Sequence, residues 1–406
     1  MSGCCGNNNT AQGPAGSTSA WFRKQVQNSL DYARLHKSRG AKIVGIMCEY
    51  TPRELIMAAG GVPVCLCGGS AAMVDAAEQV LPSNLCPLIK STFGYSLEKT
   101  NPFLEMADLI VAETTCDGKK KMYELLSQRH PMHVLELPQM QGDRDAFEHW
   151  VAELYKLKEA LEILFSTRIT DQKLREAVIL MNRERRYKRD LAGLMKAENP
   201  PLTGRELLEM KSLISGMPDD HEHYERALES LPGRVPASSN GSRVRVLLTG
   251  VPLPHGAERV MDIIEDNGGL VVCQESCSGV KPVLEDVDAG ASDLIRAIAA
   301  KYFHLPCSVM TPNTGRFDQL ERLAGEYRVD CVIELIWRTC LTYDIEALSV
   351  KALTEGALGL PYLRIETDYS PSDTARIVLR VQSLFETVTG RKIALAGVDK
   401  GGCHGG

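Results

Sequence analysis

Short continuous apolar runs alternate with amphipathic segments over the first third of the chain. Four runs of strand length are Lys42–Met47, Val62–Leu66, Leu109–Ala112 and Val134–Leu137. Such runs are typical of parallel strands that are covered on both faces. Between the first two runs, Thr51-Pro52 is typical of a helix start and Gly60-Gly61 of a helix end. The alternation predicts an α/β domain over residues 21–142.

The middle of the chain has a different pattern. Over residues 143–237, charged residues are interspersed with Leu, Met and Ala at helical spacing, which predicts a helical segment that ends in a linker. The apolar runs resume at Arg243–Leu248, Leu270–Cys273, 331–337 and Tyr362–Ile365. We therefore expect a second α/β domain over residues 238–395. The segments 1–20 and 396–406 are expected to be flexible tails, because they are mostly Gly and small or polar residues.

Two segments of the predicted domains resemble each other. Asp108–Cys116 and Asp330–Cys340 are each an apolar strand that ends in Thr-Cys and precedes a helix. The spacing from Asp to Cys differs between them, so the repeat is imperfect. We infer an α/β fold with two similar parallel-sheet domains of the Rossmann/flavodoxin-like type, which face each other, plus the helical segment. Ligands of such sheets lie outside the carboxyl ends of the strands.

Composition and charge restrict the class of protein. The 406 residues carry a net charge of −6, which disfavours a protein whose task is to bind nucleic acid. The chain contains no apolar run of about 18 residues and no apolar segment of a secretory signal. We therefore expect a cytoplasmic protein without a membrane partner. Its 13 cysteines are not expected to form disulfides there, because cellular thiols keep such pairs reduced.

The cysteines separate into groups by position. Six lie in loops or at strand ends: Cys48, Cys86, Cys116, Cys277, Cys307 and Cys340. Cys65, Cys273 and Cys331 lie inside apolar strands and are interpreted as packing residues, whereas Cys67 at a strand end is ambiguous. The absence of Cys-x-x-Cys disfavours a zinc ribbon and a thioredoxin-type site. A dispersed thiolate site between the domains, suited to an iron–sulfur cluster, and a set of buried structural thiols both remain open.

Four longer motifs resemble one protein family. They are Cys48-x-x-x-Pro52 with Glu54–Gly60, then Leu81–Ser91, Glu113–Lys120 and Glu366–Ser370. From about Ala41 to Glu386, the chain is similar to the 2-hydroxyacyl-CoA dehydratase and benzoyl-CoA reductase superfamily. Within it, the second and fourth motifs look like those of the double-cubane cluster proteins.

That resemblance implies a homodimer with an [8Fe-9S] double cubane, in which a sulfide joins two [4Fe-4S] units. It also implies a separate activator ATPase with its own [4Fe-4S] cluster, which uses ATP to deliver low-potential electrons. The missing phosphate-binding loop in this chain agrees with ATP being used by the partner. The expected reaction is the reduction of a small-molecule substrate. Two alternatives are a 2-hydroxyacyl-CoA dehydratase component, which is a lyase, and a non-enzymatic iron–sulfur electron carrier.

The resemblance also assigns cluster ligands residue by residue. Cys86, Cys116 and Cys340 match the three cluster cysteines of the classical dehydratase. Cys48, Cys277 and Cys307 lie at motif positions for the further ligands of a double cubane, with Cys67 as a substitute for any of these three. Cys4, Cys5 and Cys403 in the tails match nothing in the family. No catalytic residue is assigned.

Two charged segments each have a functional and a structural interpretation. Lys119–Lys121 either balance the charge of a cluster or form the solvated first turn of a helix. Glu366 and Asp368 either donate protons in the crevice or cap the end of a strand.

Overall fold

The computed structural model describes residues 14–234 and 243–401, which contain two four-stranded sheets and a series of helices between them. The first α/β domain contains α1 (Pro14–Arg23), α2 (Gln25–Ser38), β1 (Ile43–Ile46), α3 (Arg53–Ala58), β2 (Val62–Cys65), α4 (Val74–Glu78), α5 (Pro87–Glu98), α6 (Pro102–Met106), β3 (Leu109–Glu113), α7 (Asp117–Leu126) and β4 (Met132–Leu135). The helical segment contains α8 (Arg144–Phe165), α9 (Asp171–Gly193), α10 (Gly204–Glu209) and α11 (Pro218–Ser230). The second α/β domain contains β5 (Val244–Gly250), α12 (Arg259–Asp266), β6 (Gly269–Glu275), α13 (Leu294–Phe303), α14 (Thr314–Glu326), β7 (Cys331–Trp337), α15 (Leu341–Ala352), β8 (Tyr362–Thr367) and α16 (Thr374–Gly401).

The two sheets have the same topology. The first has the strand order β2-β1-β3-β4 and the second the order β6-β5-β7-β8, and all pairs are parallel. All residues of β1, β6 and β7 are buried, as expected for strands covered by helices on both faces. The prediction of an α/β fold with two similar parallel-sheet domains is confirmed.

Contacts between the two domains hold the carboxyl ends of their strands together. The Tyr50 hydroxyl donates to the Leu305 carbonyl at 3.0 Å, and the Tyr369 hydroxyl donates to the Gly68 carbonyl at 3.2 Å. The loops also approach closely at Gly69, where a Cβ atom would lie 2.8 Å from the His255 carbonyl oxygen. The crevice between the sheets is therefore built from strand-end loops of both domains.

Most strand ends differ by one or two residues from the sequence prediction. Strand β4 ends at Leu135 rather than Leu137, because the amides of Glu136 and Leu137 donate to the side chains of Glu153 and Thr114 instead of to a strand. Strand β8 continues past Ile365 to Thr367, where it pairs with the end of β7.

The segment predicted as an N-terminal tail is partly helical, since α1 begins at Pro14. Trp21 donates to Asp220 at 2.9 Å and Phe22 is buried against Tyr224, so tertiary contacts fix the end of this helix. Cys4, Cys5 and Cys403 lie outside the described residues. Within residues 14–234 and 243–401, no helix combines the length and apolarity needed to cross a membrane.

Candidate metal centre between the domains

Each of the six predicted cysteines lies in a loop or at a helix start. Cys48 follows β1, Cys277 follows β6 and Cys307 lies in the loop after α13. The other three are the N-cap residues of α5, α7 and α15: Cys86, Cys116 and Cys340. Three of the six therefore come from each α/β domain. Since the carboxyl ends of parallel strands meet at one edge of a sheet, the topology directs both sets toward the crevice.

The helix N-termini favour the thiolate form of the capping cysteines. A hydrogen bond with Cys340 lowers the pKa of Cys86, and the backbone amides of Leu88 and Ile89 lower it further. Burial raises the pKa of Cys116, and the backbone amide of Lys119 opposes that rise. Unsatisfied amides and the positive end of the helix dipole stabilise an anion at such a position. A thiolate is the form that binds iron, so these three positions are suited to metal ligation.

Interactions between thiols cross from one domain to the other. A hydrogen bond from the Cys340 thiol lowers the pKa of Cys86 and raises that of Cys340. Burial raises the pKa of Cys116, and the charges of Cys340 and Cys307 raise it further. Cys86, Cys116 and Cys340 thus form one group at the junction of the two sheets, with Cys307 next to it.

Cys48 and Cys277 also interact with Cys307. Burial raises the pKa of Cys48 to about 12, with a further contribution from Cys307. Burial also raises the pKa of Cys277, to which Glu49, Cys307 and Cys48 add. Electrostatic interactions therefore connect all six predicted cysteines in one network across the two domains.

The geometry does not fit a single metal ion. Among the described residues, no three His, Cys, Asp or Glu side chains converge on one ion position. A polynuclear iron–sulfur cluster has a different requirement, because each thiolate binds its own iron at the edge of the cluster. The donor set here is soft sulfur distributed over two domains, so it fits such a cluster better than a mononuclear zinc or copper site.

Equivalent positions in the two sheets pair the cysteines. Cys116 after β3 corresponds to Cys340 after β7, and Cys67 after β2 corresponds to Cys277 after β6. Cys86 and Cys307 both lie between the second and third strands of their domains. Cys48 has no cysteine counterpart after β5. This pseudo-symmetry favours the interpretation of Cys67 as a substitute ligand. The Cys67 thiol lies near Cys48 and donates to the Met47 carbonyl at 3.6 Å.

Two lysines face the thiols, the buried Lys281 and the half-buried Lys119. Lys281 is buried and pairs with Glu49 at 2.8 Å, and the Cys277 thiol donates to the same Glu49 oxygen at 3.1 Å. Burial lowers the pKa of Lys119, but the charges of Cys48 and other nearby groups outweigh it and hold that pKa well above its usual value. These ammonium groups would offset the negative charge of a thiolate-bound cluster.

The structure separates the alternatives for the charged segments. Of Lys119–Lys121, only Lys119 faces the site, while its two neighbours are exposed and pair with Asp117 and Glu124. Glu366 pairs with Arg364, and Asp368 accepts from the Ser370 amide at 2.8 Å. The contacts of Glu366 and Asp368 thus favour the structural interpretation.

The sequence interpretation missed three buried charged residues. Glu49 directly follows Cys48, so its position was a usable signal, whereas nothing in the sequence distinguishes Lys281. Glu113 ends β3 and is fully buried. One of its oxygens accepts from the Thr51 hydroxyl, and the other has no hydrogen-bond partner among the described residues. Burial raises the pKa of Glu113 to about 7, which makes it a carboxyl group that exchanges a proton near neutral pH.

A cavity of about 180 Å³ adjoins the thiols, between the two sheets and the helical segment. Cys48 and Cys277 lie on its wall, together with residues of α9 and of the loop after α10. Cys65 was expected to be only a packing residue within a strand, but it also lines the cavity. Cys273 is buried within β6 but contacts the cavity edge, and Cys331 is buried within β7.

The fold and the site define a class of protein: two parallel-sheet domains that place a network of thiols and a small cavity between their strand ends. Within this class, the family described as "2-hydroxyglutaryl-CoA dehydratase, D-component" matches residues 48–388. The chain belongs to this family, within the 2-hydroxyacyl-CoA dehydratase and benzoyl-CoA reductase superfamily.

Several characterised or named proteins are similar over most of the chain. YjiM of Escherichia coli (strain K12), provisionally named as a dehydratase subunit, is 39% identical over 86% of this chain and 92% of its own length. The (R)-phenyllactyl-CoA dehydratase beta subunit of Clostridium sporogenes is 22% identical over 90% of this chain and 97% of its own. One of the benzoyl-CoA reductase subunits of Thauera aromatica is 25% identical over 72% of this chain and 74% of its own.

Proposed function

We propose that this protein is an iron–sulfur reductase that uses a double-cubane [8Fe-9S] cluster to reduce a small molecule. The observation that carries the proposal is the network of six thiols, three from each domain. The three cysteines that match the classical dehydratase, Cys86, Cys116 and Cys340, form only half of that network. A cluster confined to those three would leave Cys48, Cys277 and Cys307 beside it without a function.

The chain's own residues define what the site does. The helix N-termini at Cys86, Cys116 and Cys340 stabilise thiolates, and Lys119 and Lys281 supply compensating positive charge. Partial or full burial of the thiols strengthens these electrostatic interactions. When bound, the cluster would supply low-potential electrons to a substrate.

The partners are proposed as a second copy of this chain and an activator ATPase with its own [4Fe-4S] cluster. Support for a partner comes from the relatives, which are named as subunits, and from α15. This helix begins at Cys340 and presents three aliphatic side chains to solvent, Leu341, Ile345 and Leu348, which are 67–75% exposed. They follow one helix face, and such a continuous exposed apolar face is unusual on a monomer. We assign it to the activator, because electrons must arrive near Cys340.

Iron and sulfide analysis after anaerobic purification tests the cluster. The proposal expects about eight iron atoms per chain, and a loss of about half or more in Cys340→Ala and in Cys307→Ala, because each removes a ligand. Cys331→Ala is the matched control, since this buried cysteine lies within a strand outside the network, and it should keep all iron. Full iron content in Cys340→Ala would contradict the assignment.

Iron content in the cysteine variants also distinguishes the candidate functions and tests the ambiguous ligand Cys67. A 2-hydroxyacyl-CoA dehydratase component is the second candidate, because two of the relatives are named as dehydratase subunits. It would hold about four iron atoms and would keep them in Cys277→Ala and Cys307→Ala. Comparing Cys48→Ala with Cys67→Ala shows which of these two adjacent thiols is a ligand. A cluster that supports no activator-dependent turnover would favour an electron carrier.

A further inference from the structure

The wall of the cavity carries more positive than negative side chains. Its basic residues are Arg53, Lys119, Arg185, Lys188, Lys211 and Lys301, and its acidic residues are Glu49 and Glu184. Both acidic residues are already paired, Glu49 with Lys281 and Glu184 with Lys188. Arg185 pairs with Glu54, outside the lining. Each negative charge near the cavity therefore has a cation of its own.

Four cations remain without an ion pair among residues 14–234 and 243–401: Arg53, Lys119, Lys211 and Lys301. Lys119 faces the thiols, and its charge is accounted for by them. The charges of Arg53, Lys211 and Lys301 are not accounted for in this way. Arg53 and Lys211 line the cavity together with Cys65. A hydrogen bond with Cys67 lowers the pKa of Cys65, and the charges of Lys211 and Arg53 lower it further.

Lys301 is the most buried of the three, at 8% exposure. Its ammonium group donates to the Pro282 carbonyl at 2.8 Å and lies 4.6 Å from the centre of the Tyr302 ring. Burial and the charge of Arg185 lower the pKa of Lys301 to about 7. A buried cation held beside other cations is costly unless an anion compensates it.

A neutral donor points to the same kind of ligand. Gln274 is buried, lines the cavity, and its side-chain NH2 group has no hydrogen-bond partner among the described residues. An unused buried donor costs free energy that an acceptor in the cavity would recover. Cations and a free donor together are complementary to an oxyanion.

The size of the cavity limits the ligand. Pockets for drug-sized ligands usually measure roughly 300–1,000 Å³, and this one measures about 180 Å³. A coenzyme A thioester is much larger than such a space. A short-chain carboxylate fits, and the planar fork of Arg53 matches carboxylate geometry.

We propose that the cavity binds the carboxylate of a small organic acid, through Arg53, Lys211, Lys301 and Gln274. The inference rests on the proposed reductase function and specifies its substrate class as small anions. Because Cys48 and Cys277 line the same cavity, a carboxylate held by Arg53 and Lys211 leaves the rest of the molecule facing the cluster ligands. The carboxylate serves as a binding group and takes no part in electron transfer.

Anaerobic titration calorimetry on the full-length protein tests the site without requiring turnover. The probes are propionate, its neutral isostere propionamide, and inorganic sulfate. Propionate is expected to bind and propionamide is not. Arg53→Met and Lys211→Met should each weaken propionate binding by about tenfold or more, since each removes a charged hydrogen-bond donor. Lys120→Met, which removes an exposed lysine next to Lys119, should bind propionate like the wild type.

Three outcomes would overturn the carboxylate site: equal binding of propionate and propionamide, undiminished binding in both variants, or sulfate binding tighter than propionate. Arg53→Lys keeps the charge and should retain more affinity for propionate than Arg53→Met. This difference would show that the loss in Arg53→Met comes from the missing charge and not from a folding defect. Iron content measured on the same samples distinguishes the two proposals. Full iron without propionate binding contradicts only the carboxylate site, whereas propionate binding with four or fewer iron atoms contradicts only the double-cubane reductase.

Discussion

Glu113 is a buried residue whose protonation is linked to folding. Burial raises its pKa from the usual value of 4.5 to about 7, so the folded protein binds this proton more tightly than the unfolded chain. The stabilisation is complete below about pH 4.5 and is lost as the pH rises through 7. The charged groups that face it are Lys119, Arg53 and Glu49, and the two cations reduce the cost of ionisation without cancelling it.

Replacing Glu113 with Gln should therefore stabilise the protein relative to the wild type at high pH. Gln mimics the protonated carboxyl group, so the difference in free energy of unfolding should grow by about 2–3 kcal/mol between pH 5 and pH 8. Urea unfolding followed by circular dichroism at both pH values measures it. The exposed Glu285→Gln is the control and should show no such growth. A pH-independent difference in Glu113→Gln would contradict the argument.

Single residues also show where sequence interpretation reaches its limit. Lys119 and Lys120 are adjacent in the first turn of α7, yet one faces thiols and the other pairs with Asp117 at the surface. Successive helical residues are rotated by about 100°, so which lysine faces the crevice depends on how α7 packs. The run of lysines alone could not assign that role.

At the scale of elements, the starts of three helices position half of the predicted ligand thiols. Helices α5, α7 and α15 begin at Cys86, Cys116 and Cys340, so the placement of each helix sets the position of one thiol. Helix α5 packs closely against the turn before α4. At Gly94 in its third turn, a Cβ atom would overlap the carbonyl oxygen of Met73.

Gly94→Ala should therefore displace α5 and reduce iron retention. The Met73 oxygen is backbone and cannot move aside independently, so we expect a loss of stability of about 1–3 kcal/mol together with lower iron content. The measurements are thermal unfolding and iron analysis. Gly325→Ala in α14 is the matched control, because a Cβ atom there meets nothing within 4 Å. That helical Gly-to-Ala change should stabilise by roughly 0.5–1 kcal/mol and leave iron unchanged.

At the scale of the whole molecule, the exposed face of α15 is the proposed entry point for electrons. Ile345→Asp combined with Leu348→Asp places charges on a surface that an apolar partner would cover. We expect activator-dependent turnover to fall at least tenfold while iron content stays full. The matched control is Ile163→Asp with Ile179→Asp, which changes exposed isoleucines of the helical segment, and it should leave turnover unchanged. A change in the oligomeric state of the α15 variant instead would assign this face to the homodimer.

The sequence by itself determined the fold class, both α/β domains and the positions of the candidate ligands along the chain. Continuous apolar runs specify buried parallel strands wherever they occur, and the two Thr-Cys strand ends marked a repeat that the sheets then confirmed. Family motifs added the chemistry of the cysteines. These signals are local, because each is complete within a single strand, turn or helix start.

Only the tertiary structure decided which side chains share the crevice. Within the part of the chain that it describes, it placed Cys307 next to Cys116, Lys281 against Glu49, and three unpaired cations around one small cavity. Cys307 and Cys116 are far apart in the sequence, and their approach depends on how two separately folded sheets dock. The charge balance of the cavity has the same origin, because a lysine is unpaired only when the packing of every neighbouring element brings no carboxylate within reach.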